Sequence, residues 1–371
     1  MINLDYASHT PADERVLAEF CRAERACAGN AFAAHALGRA ARAELDRATE
    51  GIAALIGVSP SEIIFTSGAS EANNLAVKGI ARAYAHRGRH ILSTCLEHPS
   101  VSGALAFLAE AGYEIELLRI LPNGKIDIEH LQRAIRDDTI LLCVSAVDSE
   151  LGAIQETDVL AKSVASRPNC RLHVDLAQAV GKIPGLFENL SQASTMCFSP
   201  HKFYGLGGFG VLVKREGVVL EPLIHGGTSG GIYRAGTPSP AQAAACFLAL
   251  KLALENSEEK LQNAAKMREY VIKMLHNAAK INSPPDGSPY ILNLSIPGIR
   301  GTKMQEELNK RGIAVSVKSA CSTDAAPSRP VFAVSDKKNA LNSWRVSFSH
   351  HTTQEELDEF IRQLLIIKNR Y

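Results

Sequence analysis

The chain has 371 residues, 46% hydrophobic and 21% charged, the makeup of a folded protein with room for a large core and two domains. Its 40 basic and 39 acidic residues leave a formal charge of +1, which excludes a global basic field for nucleic acid. The start "MINLDYASHTPADERV" lacks the order of a secretory signal, the longest apolar run "TILLCVSAV" is too short to span a bilayer, and the eight cysteines form no CxxC pair; a reducing, cytoplasmic setting is expected, with no zinc site, membrane span or disulfide framework.

Thr10-Pro11, followed by Asp13 and Glu14, predicts a helix over 11–22, with a cap, a proline in the first turn and acids at the positive end. Residues 38–57 carry a long helical pattern closed by Gly57. "SEIIFTSGASEANNLAVKGIARAYA" predicts a short strand, a glycine turn and a helix. "RHILSTC", "YEIELLRI", "DDTILLCVSAVDSELGAI", "CRLHVDLAQAVG", "TMCFSPHK" and "FGVLVKR" each carry an apolar strand, several of them ending in polar residues. Strands alternating with helices imply a mostly parallel sheet covered on both faces, which binds ligands beyond the carboxyl ends of its strands. From about residue 250 the pattern changes: one long helical region from 244, short strands in "YILNLSIPG", "GIAVSVK" and "SWRVSFS", and a last helix opened by the capping box Thr353–Glu356. This reads as a smaller α+β domain that the N-terminus joins, giving a large domain over 15–250 and a small one from 1–14 and 251–371.

The strand ends carry the chemistry. Gly68 permits a sharp turn, after which Ala69 and Ser70 present amides and a hydroxyl at a helix N-terminus, an anion site or simply a capped turn. His98 ends a strand as a loop residue, a cap, an aromatic plate or a proton carrier. Asp175 closes "HVD" with Gln178 three residues on; taken alone, it is a cap or a solvated acid. Ser199, His201 and Lys202 follow another strand, and a lysine can bind an aldehyde. Each signal is weak by itself. Together they supply what pyridoxal phosphate needs: a lysine for its aldehyde, an acid for its ring nitrogen, donors for its phosphate and a ring to stack on it.

In these motifs the sequence resembles the class V aminotransferase family and, within it, the cysteine desulfurases of the NifS/IscS kind. The resemblance runs nearly the whole length through "LDYASHTP", "GNAFAAHALGRAAR", "FTSGASEANNLAVKG", "EHPSV", "ELGAIQ", "HVDLAQAVGK", "FSPHKFYGLGGFGVL", "HGG", "RAGT", "KSACST", "RVSF" and "TTQEEL". It implies a fold type I pyridoxal-phosphate transferase: a three-layer αβα large domain with a mostly parallel seven-stranded sheet, and a smaller α+β C-terminal domain. It makes Lys202 the cofactor lysine, Asp175 the partner of the ring nitrogen, His98 the stacking residue and Gln178 the contact of the ring hydroxyl. Ala69, Ser70, Ser199 and His201 fall to the phosphate. Thr237 reaches the phosphate of a neighbouring subunit, which implies a homodimer.

Cys321 separates a desulfurase from a transaminase. It stands in "VSVKSACSTDAAPSRP", a polar segment with the composition of an exposed loop, whereas Cys143, Cys170 and Cys197 flank or occupy apolar strands. The resemblance gives it the attack on the sulfur of bound L-cysteine and the persulfide that passes to a sulfur-acceptor protein in iron–sulfur, thio-cofactor or tRNA pathways. Arg345 matches the arginine that takes the substrate carboxylate. The chain departs from the family pattern at Asp148-Ser149, where two asparagines are usual and the second meets that carboxylate. It departs also at His9, Gly230-Gly231, Lys318 and Ser349-His350. The cofactor residues thus keep the pattern better than the substrate rim. A selenocysteine or cystine lyase, another aminotransferase of the family, and a weakly active scaffold or sulfur-relay subunit remain as alternatives.

Overall fold

The computed structural model of the chain describes residues 1–227, 231–318 and 326–371. Its central sheet has seven strands in the order Ile63–Thr66, Gly210–Lys214, Thr195–Phe198, Arg171–Asp175, Thr139–Ser145, His90–Ser93 and Glu114–Leu117. Gly210–Lys214 runs antiparallel to both neighbours, and the other pairings that are directly bonded are parallel. Strand Thr139–Ser145 is buried at every position, as the continuous apolar run "TILLCVS" requires of a strand covered on two faces. The register places Ser145 beside Asp175 and Asp175 beside Cys197, so the carboxyl ends of adjacent strands line up along one edge.

Two apolar cores flank this sheet, one including Leu142, Val174 and Met196, the other Leu75, Ile91 and Leu141. A separate core gathers Leu4, Leu292, Trp344 and Phe360 around an antiparallel sheet of Ser343–Ser347, Ile291–Ser295 and Lys280–Ile281. The N-terminal strand Ile2–Asn3 pairs in parallel with Ile313–Ala314 beside it.

Two helices differ from the sequence expectation. The first spans Glu14–Ala26 and not 11–22, because Asp13 is its cap and accepts from the Arg15 amide at 2.9 Å. Thr10 is occupied elsewhere: its hydroxyl donates to the His201 carbonyl at 2.9 Å and accepts from the Tyr204 amide at 2.6 Å. The long helical region is two helices, Pro240–Leu254 and Ser257–Leu275, broken where Asn256 takes a left-handed φ of 52°. Asparagine tolerates that conformation, and apolar periodicity alone does not reveal it.

Gly210 brings the antiparallel strand against the turn that opens helix Ala69–Ala83: a Cβ there would stand 2.5 Å from the Gly68 carbonyl carbon. Gly210→Ala is expected to destabilise the fold by about 1–3 kcal/mol, since backbone and not a flexible side chain must move. A lowered urea unfolding midpoint measures it.

Candidate active site

Beyond the aligned carboxyl ends lies a cavity of 380 Å³. Ala69, Ser70, His98, Ser149, Asp175, Gln178, Ser199, His201, Lys202 and Arg345 all line it. Residues that span nearly 280 positions of sequence meet there because each follows a strand that ends on the same edge, Arg345 excepted. Arg345 comes from strand Ser343–Ser347 of the second sheet and is 2% exposed. Thr237 does not join them. It lines an adjoining groove of 800 Å³, which shares Ser67 and Gly208 with the cavity. Cys321 lies outside the described residues.

The floor of the cavity is a chain of buried polar contacts. Asp175 accepts through Oδ1 from the Ala177 amide and through Oδ2 from Asn73 Nδ2, each at 2.8 Å. Asn73 is wholly buried, the one polar side chain among the buried residues of its helix. Its Nδ2 also donates to Ser100 Oγ at 2.8 Å, and its Oδ1 meets His173 Nε2 at 2.8 Å. The His98 ring is fixed from the same side: its Nδ1 accepts from the Ser100 amide at 3.1 Å and meets Ser100 Oγ at 2.8 Å. With Nδ1 accepting, the proton of the neutral ring sits on Nε2. Burial first, then the charges of Lys202 and Arg329 against that of Asp175, lowers the His98 pKa below the usual histidine range.

At the other end, helix Ala69–Ala83 starts after Gly68, which offers no side-chain cap. Its first amides are therefore left to a ligand, at the positive end of a 15-residue helix. Ser199 Oγ donates to the Phe209 carbonyl at 2.7 Å and stands 2.8 Å from His201 Nδ1. Its one proton is thus committed, so His201 donates through Nδ1. Burial, with Lys202, His9 and Lys182 nearby, lowers the His201 pKa to about 4. An anion at the helix end would favour the charged ring, which can then donate through Nε2 as well.

The cations converge on the N-terminal segment. Lys202 Nζ donates to the carbonyls of Ala7 at 3.0 Å and Ser8 at 2.7 Å. Gln178 Nε2 donates to the same Ala7 carbonyl at 2.8 Å. Arg345 Nη2 reaches Asp5 Oδ1 at 2.8 Å and Ser8 Oγ at 2.7 Å, and its Nη1 reaches the Ser149 carbonyl at 2.7 Å. Its Nε is buried with no partner among the described residues. Sequence reasoning missed Asn73, Ser100, Asp5 and Ser8. Only Asn73 left a signal, as an amide at a helix position that its apolar neighbours mark as buried.

Next to the rim, Asp148 is 1% exposed. One oxygen accepts from the amides of Glu150 and Leu151, and Oδ1 has no partner among the described residues. Burial, then the nearby Glu150 and Glu97, raises its pKa to about 7.

Residues 2–360 match the aminotransferase class-V family. A NifS/IcsS protein homolog of Lactobacillus delbrueckii subsp. bulgaricus is 34% identical over 97% of this chain and 95% of its own. A cysteine desulfurase IscS of Dictyoglomus turgidum is 33% identical over 96% of this chain and 92% of its own. The solved structure of a NifS-like protein superposes with a TM-score of 0.93 at 31% identity, covering all of both chains.

Because the Asp148 carboxyl holds its proton more tightly folded than unfolded, the folded state binds more protons between the unfolded value near 4 and about 7. Stability contributed below that window is lost as pH rises through it. Asp148→Asn removes the buried charge, so at about pH 8 the variant is expected to unfold at higher urea than the wild type, with the gap closing near pH 5. Urea midpoints across that range check both points.

Proposed function

The chain belongs to the class-V aminotransferase family, and we propose that within it the protein is a cysteine desulfurase, converting L-cysteine to L-alanine and leaving the sulfur as a persulfide on Cys321 for an acceptor protein. Pyridoxal 5′-phosphate is the cofactor of the family. The cavity fits it: an amine, a buried carboxylate and an uncapped helix N-terminus face one space of 380 Å³, an ordinary size for such a ligand. That convergence is the observation that carries the reading.

When bound, the cofactor supplies an aldehyde for amines and a ring that takes up electrons. Lys202 is the amine that holds it, and also the base that moves the substrate α-proton. Asp175, oriented by Asn73 and the Ala177 amide, keeps the ring nitrogen protonated. His98, pinned through Nδ1, would be the residue that packs against the cofactor ring, with its Nε2 proton free to serve in proton transfer. Gln178 meets the ring hydroxyl. The amides of Ala69 and Ser70, with the side chains of Ser70, Ser199 and His201, take the phosphate. Thr237 completes the phosphate site of a second copy, so the working unit is a homodimer.

Arg345 takes the substrate carboxylate. Asp5 and Ser8 hold its Nη2 in place, and its buried Nε lacks a partner among the described residues. A planar fork of donors suits a carboxylate. Ser149 borders the same place, its carbonyl already bound to Arg345. In the transfer, the carbon–sulfur bond of the substrate breaks and a sulfur–sulfur bond forms to Cys321 Sγ. The proton that the Cys321 thiol gives up balances the hydrogen gained by alanine.

The division into a large domain, 15–250, and a small one, 1–14 with 251–371, is supported by the separate core around Leu4, Trp344 and Phe360. Among the described residues no helix is long and apolar enough to cross a membrane; the cytoplasmic setting rests on the cysteine pattern, which has no CxxC pair or disulfide framework.

Two variants test this reading. Cys321→Ala is expected to bind the cofactor and stay yellow while releasing neither alanine nor reductant-dependent sulfide from L-cysteine; unchanged sulfide would defeat the assignment. Arg345→Lys is expected to lower kcat/KM for L-cysteine by roughly 10- to 100-fold, the size of a lost charged hydrogen bond, with cofactor content unchanged.

A further inference from the structure

Lys182 closes the stretch "HVDLAQAVGK", and no step above uses it. Its Nζ donates to Gln178 Oε1 at 2.9 Å. It lies on the wall of a second cavity, of 290 Å³ and mostly apolar, which Ala7 and Lys202 also line. A single line of contacts therefore joins the two lysines: Lys182 to Gln178 Oε1, Gln178 Nε2 to the Ala7 carbonyl, and Lys202 to that same carbonyl.

A carboxamide has two ends of nearly equal shape, one accepting and one donating, and only its partners decide which faces where. The Ala7 carbonyl can meet only the donating end. A lysine ammonium can meet only the accepting end. Without the lysine, Oε1 would lose its donor and the amide would be held at one end only; together the two partners fix it from both sides. We propose that Lys182 is a positioning residue, holding Gln178 Oε1 away from the active site so that the second Nε2 proton of Gln178 is presented to the ring oxygen of the cofactor. This rests on the assignment of pyridoxal phosphate to the cavity.

Burial, then the charges of Lys202 and Arg345, lowers the Lys182 pKa to about 7. Charged or neutral, the amine keeps N–H donors, so the orientation of Gln178 survives its titration. A donor on the ring oxygen stabilises that oxygen as an anion. The proton shared between it and the nitrogen of cofactor-bound Lys202 then leaves at lower pH.

The visible absorbance of the holo-protein, followed against pH, reads that proton directly. Lys182→Met is expected to titrate about half to one pH unit higher than wild type, the equivalent of one lost hydrogen bond. Lys182→Arg keeps a charged donor and is expected to titrate with wild type. In a Gln178→Leu background, Lys182→Met is expected to add nothing, which separates an effect through Gln178 from one of bare charge. No shift in Lys182→Met, an equal shift in Lys182→Arg, or a full shift that persists without Gln178 each overturns the proposal. If Lys182→Met does not fold with cofactor, Lys182→Gln replaces it: this neutral donor is expected to stay near wild type, and a shift as large as that of Gln178→Leu overturns the proposal. A wild-type protein with no cofactor absorbance would strike the cofactor assignment itself, so the two failures are distinguishable.

Discussion

The site depends on two backbone carbonyls, those of Ala7 and Ser8. A cavity for an anionic cofactor and an anionic substrate must gather cations, and gathered cations repel one another. Here the Lys202 ammonium is held between the two carbonyls, at 3.0 and 2.7 Å, while Asp5 neutralises the Arg345 guanidinium three residues away. One short segment thus fixes the position of the Lys202 amine and of the Arg345 guanidinium. That segment is itself tied to the smaller sheet: the Leu4 carbonyl accepts from the Ser347 amide at 2.7 Å, and the Ala7 amide donates to Ser347 Oγ at 2.9 Å. Leu4 is buried in the second core. The second sheet therefore sets the geometry of a lysine that belongs to the first.

The rest of the machinery follows from strand direction. Parallel strands end on one edge, so residues that are distant in sequence become neighbours without any long-range code beyond the sheet order. What that edge does not supply is orientation, which comes from buried polar contacts that leave no exposed face to vary. Asn73 serves both Asp175 and Ser100, and Ser100 fixes His98, so one amide aligns both the Asp175 carboxylate and the His98 ring. A fully satisfied network of this kind is rigid, and breaking one member strands the others.

The seven-stranded sheet and the residues on its edge were legible because apolar runs ending in polar residues signal buried parallel strands, and because a lysine, an acid and phosphate donors at those ends suit one cofactor. The supporting contacts were not. Asn73 reaches Asp175 across 102 positions, and Arg345 reaches Asp5 across 340, separations that no local pattern encodes. Local chemistry misled where two residues competed for one task. Thr10 and Asp13 are both good helix caps, and a tertiary bond to His201 decides which one serves. The break at Asn256 escaped notice because the apolar positions on both sides continue at helical spacing. The contact of Lys182 with Gln178 likewise has no local signature.

In the proposed reaction, sulfur leaves L-cysteine for Cys321, with Lys202 required. Peptide mass spectrometry of the protein after exposure to L-cysteine tests it most directly. One extra sulfur is expected on the peptide that contains Cys321 in the wild type and none in Lys202→Ala. Extra sulfur on other cysteines only, or alanine released with Cys321 unmodified throughout, would contradict it.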